Sequence, residues 1–288
     1  MTLRLGLLQW KIARAQGIAA WAARLESEVA TAARAGAQLL VMPEYAPLEA
    51  AAGATPDLAA ELAFAVAHAD QAVAAAAAIA RAHNVWLLPG TLPFHVNGTL
   101  HNRAPLIDPT GRVAFQDKHV MTRFEAESWN ISPGAPPSVF ETPWGRIGIA
   151  VCFDLEFPTL VRAQIEAGAW LILAPSCTDT LAGFNRVRIA AAARAMENQC
   201  FVAIAPTVGD ASWSGALDTN RGHAAVFGPV DNGFPEDGIL ARGPLDQAGW
   251  LYADLDSTRL ETVRREGAVR NHLSWPATPP APRIVTFT

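Results

Sequence analysis

Three reactive side chains each follow an apolar segment that has the length of a buried strand. They are Glu44, Lys118 and Cys152. In open α/β sheets, active sites lie just beyond the carboxyl ends of the strands, so a polar group placed there can reach a shared crevice. Taken singly, each residue is more often a capped turn, a solvated charge or a small core residue. Together they form a hypothesis for one catalytic site.

The chemistry that this set would support is nucleophilic catalysis by a thiol. A cysteine thiol at its ordinary pKa is mostly protonated at neutral pH, so it needs a base or a cation beside it. Glu44 would take the proton of Cys152, and Lys118 would favour the thiolate and stabilise a developing oxyanion. The backbone N–H of Phe153 would complete an oxyanion hole.

The order of these residues and the segments around them resemble the nitrilase superfamily of carbon–nitrogen hydrolases, over nearly the whole chain. Glutamate, lysine and cysteine follow one another as in that family's catalytic set. The segments that carry the resemblance are Leu39–Glu44, Asn102–Gly111, Gly145–Asp154 and Arg194–Gln199. The resemblance implies hydrolysis of a non-peptide carbon–nitrogen bond through a cysteine thioester, with no metal or organic cofactor.

The superfamily also uses a second glutamate, between the lysine and the nucleophile, to position the substrate or the hydrolytic water. Two candidates lie close together, Glu125 and Glu127. We choose Glu127, because the run from Glu127 to Gly134 resembles the family segment that ends in Pro-Gly. At least one of the two must then be a solvated loop carboxylate.

Glu156 and Cys177 are further candidates for the pocket wall. Four residues after the nucleophile, relatives that hydrolyse N-carbamoyl amino acids use arginine to hold a carboxylate, whereas this chain has Glu156. A carboxylate in the pocket would repel an anionic substrate. The alternative is that Glu156 pairs with a nearby arginine such as Arg162 and never touches substrate. Cys177 follows a predicted strand, either as a small wall residue or as a substrate contact.

An α/β fold is needed to position these side chains. Apolar runs predict strands over residues 3–8, 39–42, 85–88, 100–107, 113–116, 147–152, 170–174, 201–205, 224–227 and 251–255. Helices are predicted over residues 18–35, 58–83, 157–167, 185–197 and 257–266. The resemblance implies a four-layer α-β-β-α sandwich. No repeat or composition shift divides residues 1–273, and the proline-rich residues 274–288 are predicted to be an extended arm.

Composition argues against several other classes of protein. The net charge of -5 without a basic stripe gives no reason to expect nucleic acid. Three cysteines make no disulfide framework, and no apolar stretch has the length of a membrane span or the pattern of a signal peptide. We therefore expect a cytoplasmic protein with no membrane partner. The chain also lacks the GxSxG, GxGxxG, phosphate-loop and HExxH motifs.

The two residues that follow the predicted nucleophile indicate which branch of the superfamily the chain resembles. Cys152-Phe153-Asp154 resembles the amidase and carbamoylase branches, whereas nitrilases usually carry Cys-Trp-Glu. We therefore expect a small neutral amide as substrate, with a nitrile or an N-carbamoyl amide as the alternatives. An inactive scaffold of the same fold is disfavoured because all three catalytic candidates are present. The resemblance also implies a homodimer or a higher homo-oligomer, and the C-terminal arm would suit its interface.

Overall fold

A computed structural model describes residues 2–53, 56–276 and 282–285. The β-strands of the described residues are Thr2–Lys11 (β1), Leu39–Val41 (β2), Trp86–Leu88 (β3), Leu92–Val96 (β4), Thr99–Ile107 (β5), Val113–Asp117 (β6), Val139–Thr142 (β7), Gly145–Ile149 (β8), Leu171–Ser176 (β9), Phe201–Asp210 (β10), Thr219–Asn220 (β11), Ala225–Phe227 (β12), Ile239–Arg242 (β13) and Gly249–Asp256 (β14). The α-helices are Ile18–Arg34 (α1), Leu58–His83 (α2), Arg123–Glu127 (α3), Pro158–Glu166 (α4), Leu181–Asn198 (α5), Ser257–Glu266 (α6) and Asn271–Ser274 (α7). Short 3-10 helices span Ala46–Ala50 and Cys152–Glu156.

The strands form two half-sheets that share a seam. Along the main path the order is β4-β5-β3-β2-β1-β10-β9-β8-β7. Strands β1, β2 and β3 run parallel, and so do β10, β9 and β8. The halves join where β1 pairs with β10 at the strand ends, through Trp10 with Thr207 and Lys11 with Val208. Because this pairing is so short, the two halves can fold against each other.

The core shows how the layers stack. Successive side chains of a strand point to opposite faces, and β2 separates them accordingly. Leu39 and Val41 pack in one buried cluster with Ile172 of the other half-sheet, whereas Leu40 packs in a second cluster with Trp21 of α1. Helices α1 and α2 thus cover one half-sheet, while α4 and α5 cover the other. The predicted four-layer α-β-β-α sandwich is confirmed.

Among the described helices, α2 is long and apolar enough to cross a membrane by length and composition. It begins at Asp57, whose carboxylate accepts two N–H groups of the first turn, and ends at Asn84 in the left-handed region. The alanines of one face are buried, and the helix packs on α1 and on strands β3, β4 and β5. These contacts are those of an outer-layer helix that buries one face against the sheet, and its predicted bounds are confirmed.

The structure also contains β7, β11, β13, α3 and α7, which were not predicted, and two further differences have local physical causes. Helix α5 begins at Leu181, four residues before the predicted start, because the Thr180 hydroxyl caps it by accepting the Gly183 N–H at 3.0 Å. Strand β4 was not predicted, and it contains Pro93. Proline is tolerated there because β4 is an outer strand that pairs with β5 alone.

The predicted C-terminal arm is described in part. Helix α7 ends at Ser274, and the Arg162 guanidinium of α4 lies 4.9 Å from the centre of the Trp275 ring. The start of the arm therefore rests on the body of the protein. Residues 277–281 and 286–288 lie outside the described residues. The division of the chain at residues 273 and 274 stays a prediction.

Candidate active site

Cys152 occupies a sharp turn between strand β8 and the 3-10 helix Cys152–Glu156. Its backbone has a φ of 47°, in the left-handed region that a residue with a Cβ rarely adopts. Such a conformation costs on the order of 1–3 kcal/mol and is typical of functional sites. The next N–H, that of Phe153, donates to no acceptor in the part of the chain that the structure describes. The turn therefore places a thiol and a free N–H donor next to each other.

Glu44 and Lys118 reach the same place from the other half-sheet. Glu44 lies three residues beyond strand β2, and Lys118 follows directly on strand β6. Lys118 Nζ lies 2.8 Å from Glu44 Oε1, and both residues are about 1% exposed. The Cys152 thiol lies 3.7 Å from the Cys177 carbonyl oxygen, and the Cys177 N–H donates to Glu44 Oε2 at 3.1 Å. The structure thus brings the three predicted residues together across the seam.

Glu125 lies in the site with Glu44 and Lys118, whereas Glu127, the residue chosen from the sequence, lies outside it. Glu125 Oε2 lies 2.7 Å from Lys118 Nζ, and Glu125 is 1% exposed. Glu127 lies on the solvent side of α3, where its exposed carboxylate pairs with Arg123 at 2.8 Å. The cause is a capping box: Thr122 caps α3 and its N–H and hydroxyl bind Glu125, which turns that carboxylate inward.

Asn102 and Tyr45 complete the site, and neither was predicted from the sequence. The Asn102 side-chain amide donates at 3.1 Å to Glu44 Oε1 and at 3.1 Å to Glu125 Oε1. The Tyr45 hydroxyl donates to Glu125 Oε1 at 2.7 Å. Each residue had a signal, since Asn102 begins one of the resembling segments and Tyr45 directly follows Glu44.

Asp154 holds the chain just after the lysine. Its buried carboxylate accepts the N–H of Val120 at 2.8 Å and the N–H of His119 at 3.2 Å. Because Asp154 lies two residues after the nucleophile, this contact ties the Cys152 turn to the Lys118 segment. Asp154 therefore positions the segment that follows Lys118 relative to the Cys152 turn.

Burial and charge shift the pKa values of the catalytic candidates. Burial raises the pKa of Glu44 above its ordinary value; Lys118 opposes this rise and Glu125 adds to it. Burial disfavours the charged forms of Lys118 and Glu125 as well, yet their mutual attraction prevails and leaves the pKa of Lys118 raised and that of Glu125 lowered. Burial and the Glu44 carboxylate raise the pKa of the Cys152 thiol well above its usual range. The resting nucleophile is therefore a thiol beside a carboxylate of raised basicity.

A cavity of about 390 Å³ opens onto these groups. That volume suits a small molecule. The predicted site residues that line it are Glu44, Lys118, Glu125, Cys152, Phe153, Glu156 and Cys177. Glu127 is not among them. Cys177 lies in the cavity wall, and its thiol donates to Asn220 Oδ1 at 3.5 Å.

Glu156 lies at the cavity and in an ion pair at once. Its carboxylate accepts from Arg186 Nε at 3.2 Å, whereas Arg162, the suggested partner, pairs with Glu166 at 2.8 Å. Arg186 also lines the cavity. The two charges offset each other at the wall, which weakens the expected repulsion of anionic substrates by Glu156.

The comparison with protein families agrees with this geometry. The model of the carbon-nitrogen hydrolase family matches residues 4–265. The chain therefore belongs to the carbon–nitrogen hydrolases, and the resemblance to the nitrilase superfamily is confirmed.

Relatives in sequence include a probable hydrolase and several omega-amidases. The chain is 34% identical over 188 residues to the probable hydrolase YhcX of Bacillus subtilis, a match that covers 65% of this chain and 37% of that protein. It thus spans well under half of the length of that relative. It is also 25% identical over 197 residues to the human omega-amidase NIT2, which covers 65% of this chain and 67% of the relative.

Solved structures extend the comparison to the whole fold. The amidase of Nesterenkonia sp. AN1 is 29% identical, with a TM-score of 0.73 over 91% of this chain and 96% of that one. A variant of that amidase carries the acetamide moiety of fluoroacetamide on its active-site cysteine. Nit3 of Saccharomyces cerevisiae, at 20% identity and a TM-score of 0.73 over 92% of this chain and 93% of that one, supports the fold alone.

Proposed function

We propose that this protein hydrolyses a small neutral amide to a carboxylate and ammonia or an amine, with Cys152 as the nucleophile. The observation that carries the proposal is the buried cluster in which Lys118 Nζ lies 2.8 Å from Glu44 and 2.7 Å from Glu125, beside the thiol. A thiol needs a base within reach and a cation near the reacting carbonyl, and this cluster supplies both.

In the first half of the reaction, the thiol of Cys152 attacks the carbonyl carbon of the amide. Glu44 takes the thiol proton, so a carbon–sulfur bond forms as the carbonyl becomes an oxyanion. Lys118 Nζ and the Phe153 N–H stabilise that oxyanion. The carbon–nitrogen bond then breaks, and Glu44 returns its proton to the departing nitrogen, which leaves a thioester on Cys152.

In the second half, water hydrolyses the thioester. Glu44, again a carboxylate, takes a proton from water as the oxygen attacks the carbonyl carbon. The carbon–sulfur bond breaks, the acid product leaves and the proton returns to the Cys152 sulfur. Glu125, rather than the Glu127 of the sequence prediction, is the second glutamate: it holds Lys118 in place and orients substrate or water at the cavity wall.

The amide assignment is tested by a panel of neutral amides, N-carbamoyl amides and nitriles of matched acyl size, scored by release of ammonia. We expect the highest kcat/KM for the neutral amides, as the amidase relatives suggest. Faster turnover of the nitriles or of the N-carbamoyl amides would replace the proposed substrate class. No release from any member would favour an inactive scaffold of the same fold.

We also propose that the protein is a cytoplasmic homodimer that associates through α5. Leu181, Ile189 and Met196 are apolar side chains on that helix and are 41%, 58% and 39% exposed. At helical spacing the three side chains lie on one side of α5, and exposed apolar side chains on one side of a helix favour a protein interface. Sedimentation should give twice the mass of the chain, and Ile189→Asp should give a monomer. An unchanged mass in that variant would contradict this interface.

A further inference from the structure

One wall of the cavity is a hairpin loop, residues 211–218, between β10 and β11. Gly215, Ala216 and Asp218 of this loop line the cavity together with Thr219. The two strands pair through two residues each, Gly209 with Asn220 and Asp210 with Thr219. Such a short ladder supports the base of the hairpin and leaves its tip to be held by other contacts.

The tip is held by a buried glutamate that the proposed reaction does not use. Glu61, in the first turn of α2, is 4% exposed. Its carboxylate accepts the Ser214 hydroxyl at 2.5 Å, the Gly215 N–H at 2.7 Å and the Ala216 N–H at 3.3 Å. Among the described residues, no cation lies within ion-pair distance of Glu61. A buried carboxylate without a cation depends on its hydrogen bonds, so these donors are essential to it.

Close packing reinforces the contact between the hairpin and α2. A Cβ added to Gly215 would lie 3.1 Å from the Leu58 Cγ atom, so the backbone of the tip approaches the first residue of the helix closely. The Ser214 hydroxyl oxygen also accepts the Leu217 N–H at 3.0 Å. Hydrogen bonds to a charged acceptor are about twice as strong as neutral ones. Glu61 therefore fixes where the tip stands relative to the helix.

The base of the hairpin is tied to the catalytic groups instead. The Asn220 side-chain amide donates to the Leu217 carbonyl at 2.6 Å, and Asn220 Oδ1 accepts the Cys177 thiol. The Cys177 N–H in turn donates to Glu44. A loss of Glu61 would thus displace the tip that faces the substrate while the base and the catalytic carboxylate keep their positions.

We propose that Glu61 is a positioning residue that holds the hairpin 211–218 as a wall of the substrate cavity and thereby sets substrate affinity. The inference rests on the proposed amide hydrolysis for its kinetic consequence. Residues 214–216 would then determine substrate specificity. Gly215 and Ala216 are small residues that leave room for the substrate, and Glu61 maintains the width of the cavity by holding them in place.

The test uses Ser214→Ala and Glu61→Gln, with Ser212→Ala as the matched control, because Ser212 is exposed and its side chain makes no hydrogen bond within the described residues. Hydrogen–deuterium exchange of residues 213–217 should speed up in both variants and not in the control. With the best amide of the panel, KM should rise roughly tenfold in both variants while kcat stays within about twofold. Thermal unfolding gives the global stability of each variant.

Unchanged exchange at residues 213–217 would overturn the proposal, because Glu61 would then not hold the hairpin. Faster exchange with an unchanged KM, or with kcat falling as far as kcat/KM, would also overturn it. Exchange needs no substrate, so failure of the amidase assignment is recognised separately: the unmodified protein would then release no ammonia from any amide, whatever the exchange at the hairpin shows.

Discussion

Glu125 Oε2 lies 2.7 Å from Lys118 Nζ, and both side chains are almost entirely buried. The lysine therefore forms ion pairs with two carboxylates, since Lys118 Nζ also lies 2.8 Å from Glu44 Oε1. One cation between two buried anions leaves the cluster dependent on every member, because removal of one partner leaves an uncompensated charge in a dry environment. The cluster accordingly predicts different consequences for each substitution.

Glu125→Gln should reduce kcat/KM by about a hundredfold or more, because the amide cannot balance the charge of Lys118 or orient it in the same way. Glu127→Gln is the matched control two residues away, where the carboxylate is exposed and pairs with Arg123. Its kcat/KM should stay within about twofold, as is usual for surface substitutions. Ammonia release measures both, and a larger loss in Glu127→Gln would restore the original choice of glutamate.

Lys118→Met should destabilise the fold by about 3–5 kcal/mol, because two carboxylates then stay buried without a cation. Lys11→Met is the control, since Lys11 is the other lysine of the chain and is exposed. The pKa of Glu44 and the pKa of Glu125 should rise in Lys118→Met. A carboxyl whose pKa is raised by folding costs more stability as pH increases, so the loss should be larger at pH 8 than at pH 5. Urea unfolding at the two pH values measures it, and equal losses would contradict the buried cluster.

The acid limb of the pH profile should report Glu44. Burial raises the pKa of this carboxyl above its ordinary 4.5, and it must be ionised to take the thiol proton. As pH falls through the raised pKa, Glu44 becomes protonated and kcat/KM drops. We therefore expect an apparent pKa above 4.5 on the acid side, which belongs to the coupled cluster. A profile that stays flat down to pH 4 would show that Glu44 is not the base.

Neutralising either member of the Glu156–Arg186 pair should change the net charge at the cavity wall and thereby the preference for charged substrates. Glu156→Gln releases Arg186 and should raise kcat/KM for an N-carbamoyl amino acid, relative to its neutral amide, by about threefold to tenfold. Arg186→Gln releases Glu156 and should lower the same ratio. Because the two kcat/KM values are compared within one variant, any loss of activity that affects both substrates equally does not change their ratio. Identical ratios in the two variants would mean that neither charge is felt by the substrate.

Much of the fold followed from local patterns. Helix α2 has the predicted bounds because its N-cap Asp57 and its C-terminal Asn84 flank an unbroken alanine-rich run. The four layers came from the family resemblance, whereas the seam between β1 and β10 is a long-range contact that no local pattern shows. The edge strand β4 was missed because Pro93 argues against a strand unless its outer position is known.

The site residues also fall into those that local sequence predicts and those that depend on contacts between distant parts of the chain. Glu44, Lys118 and Cys152 were found because each follows an apolar strand in a characteristic order. Glu127 was predicted instead of Glu125 because the prediction depended on distance along the chain. The Thr122 capping box, which that distance does not show, determines which carboxylate turns inward. The partners of Glu156 and of Glu61 lie 30 and more than 150 residues away, so the sequence alone could not reveal them.

The proposed reaction depends above all on the attack of Cys152 on the amide carbon. The most direct measurement is ammonia release from the best neutral amide by the unmodified protein, by Cys152→Ala and by Cys200→Ala, whose thiol lies buried in the core. We predict that Cys152→Ala abolishes release while Cys200→Ala retains it. Release by Cys152→Ala at a rate comparable to that of the unmodified protein would contradict the assigned nucleophile and the reaction built on it.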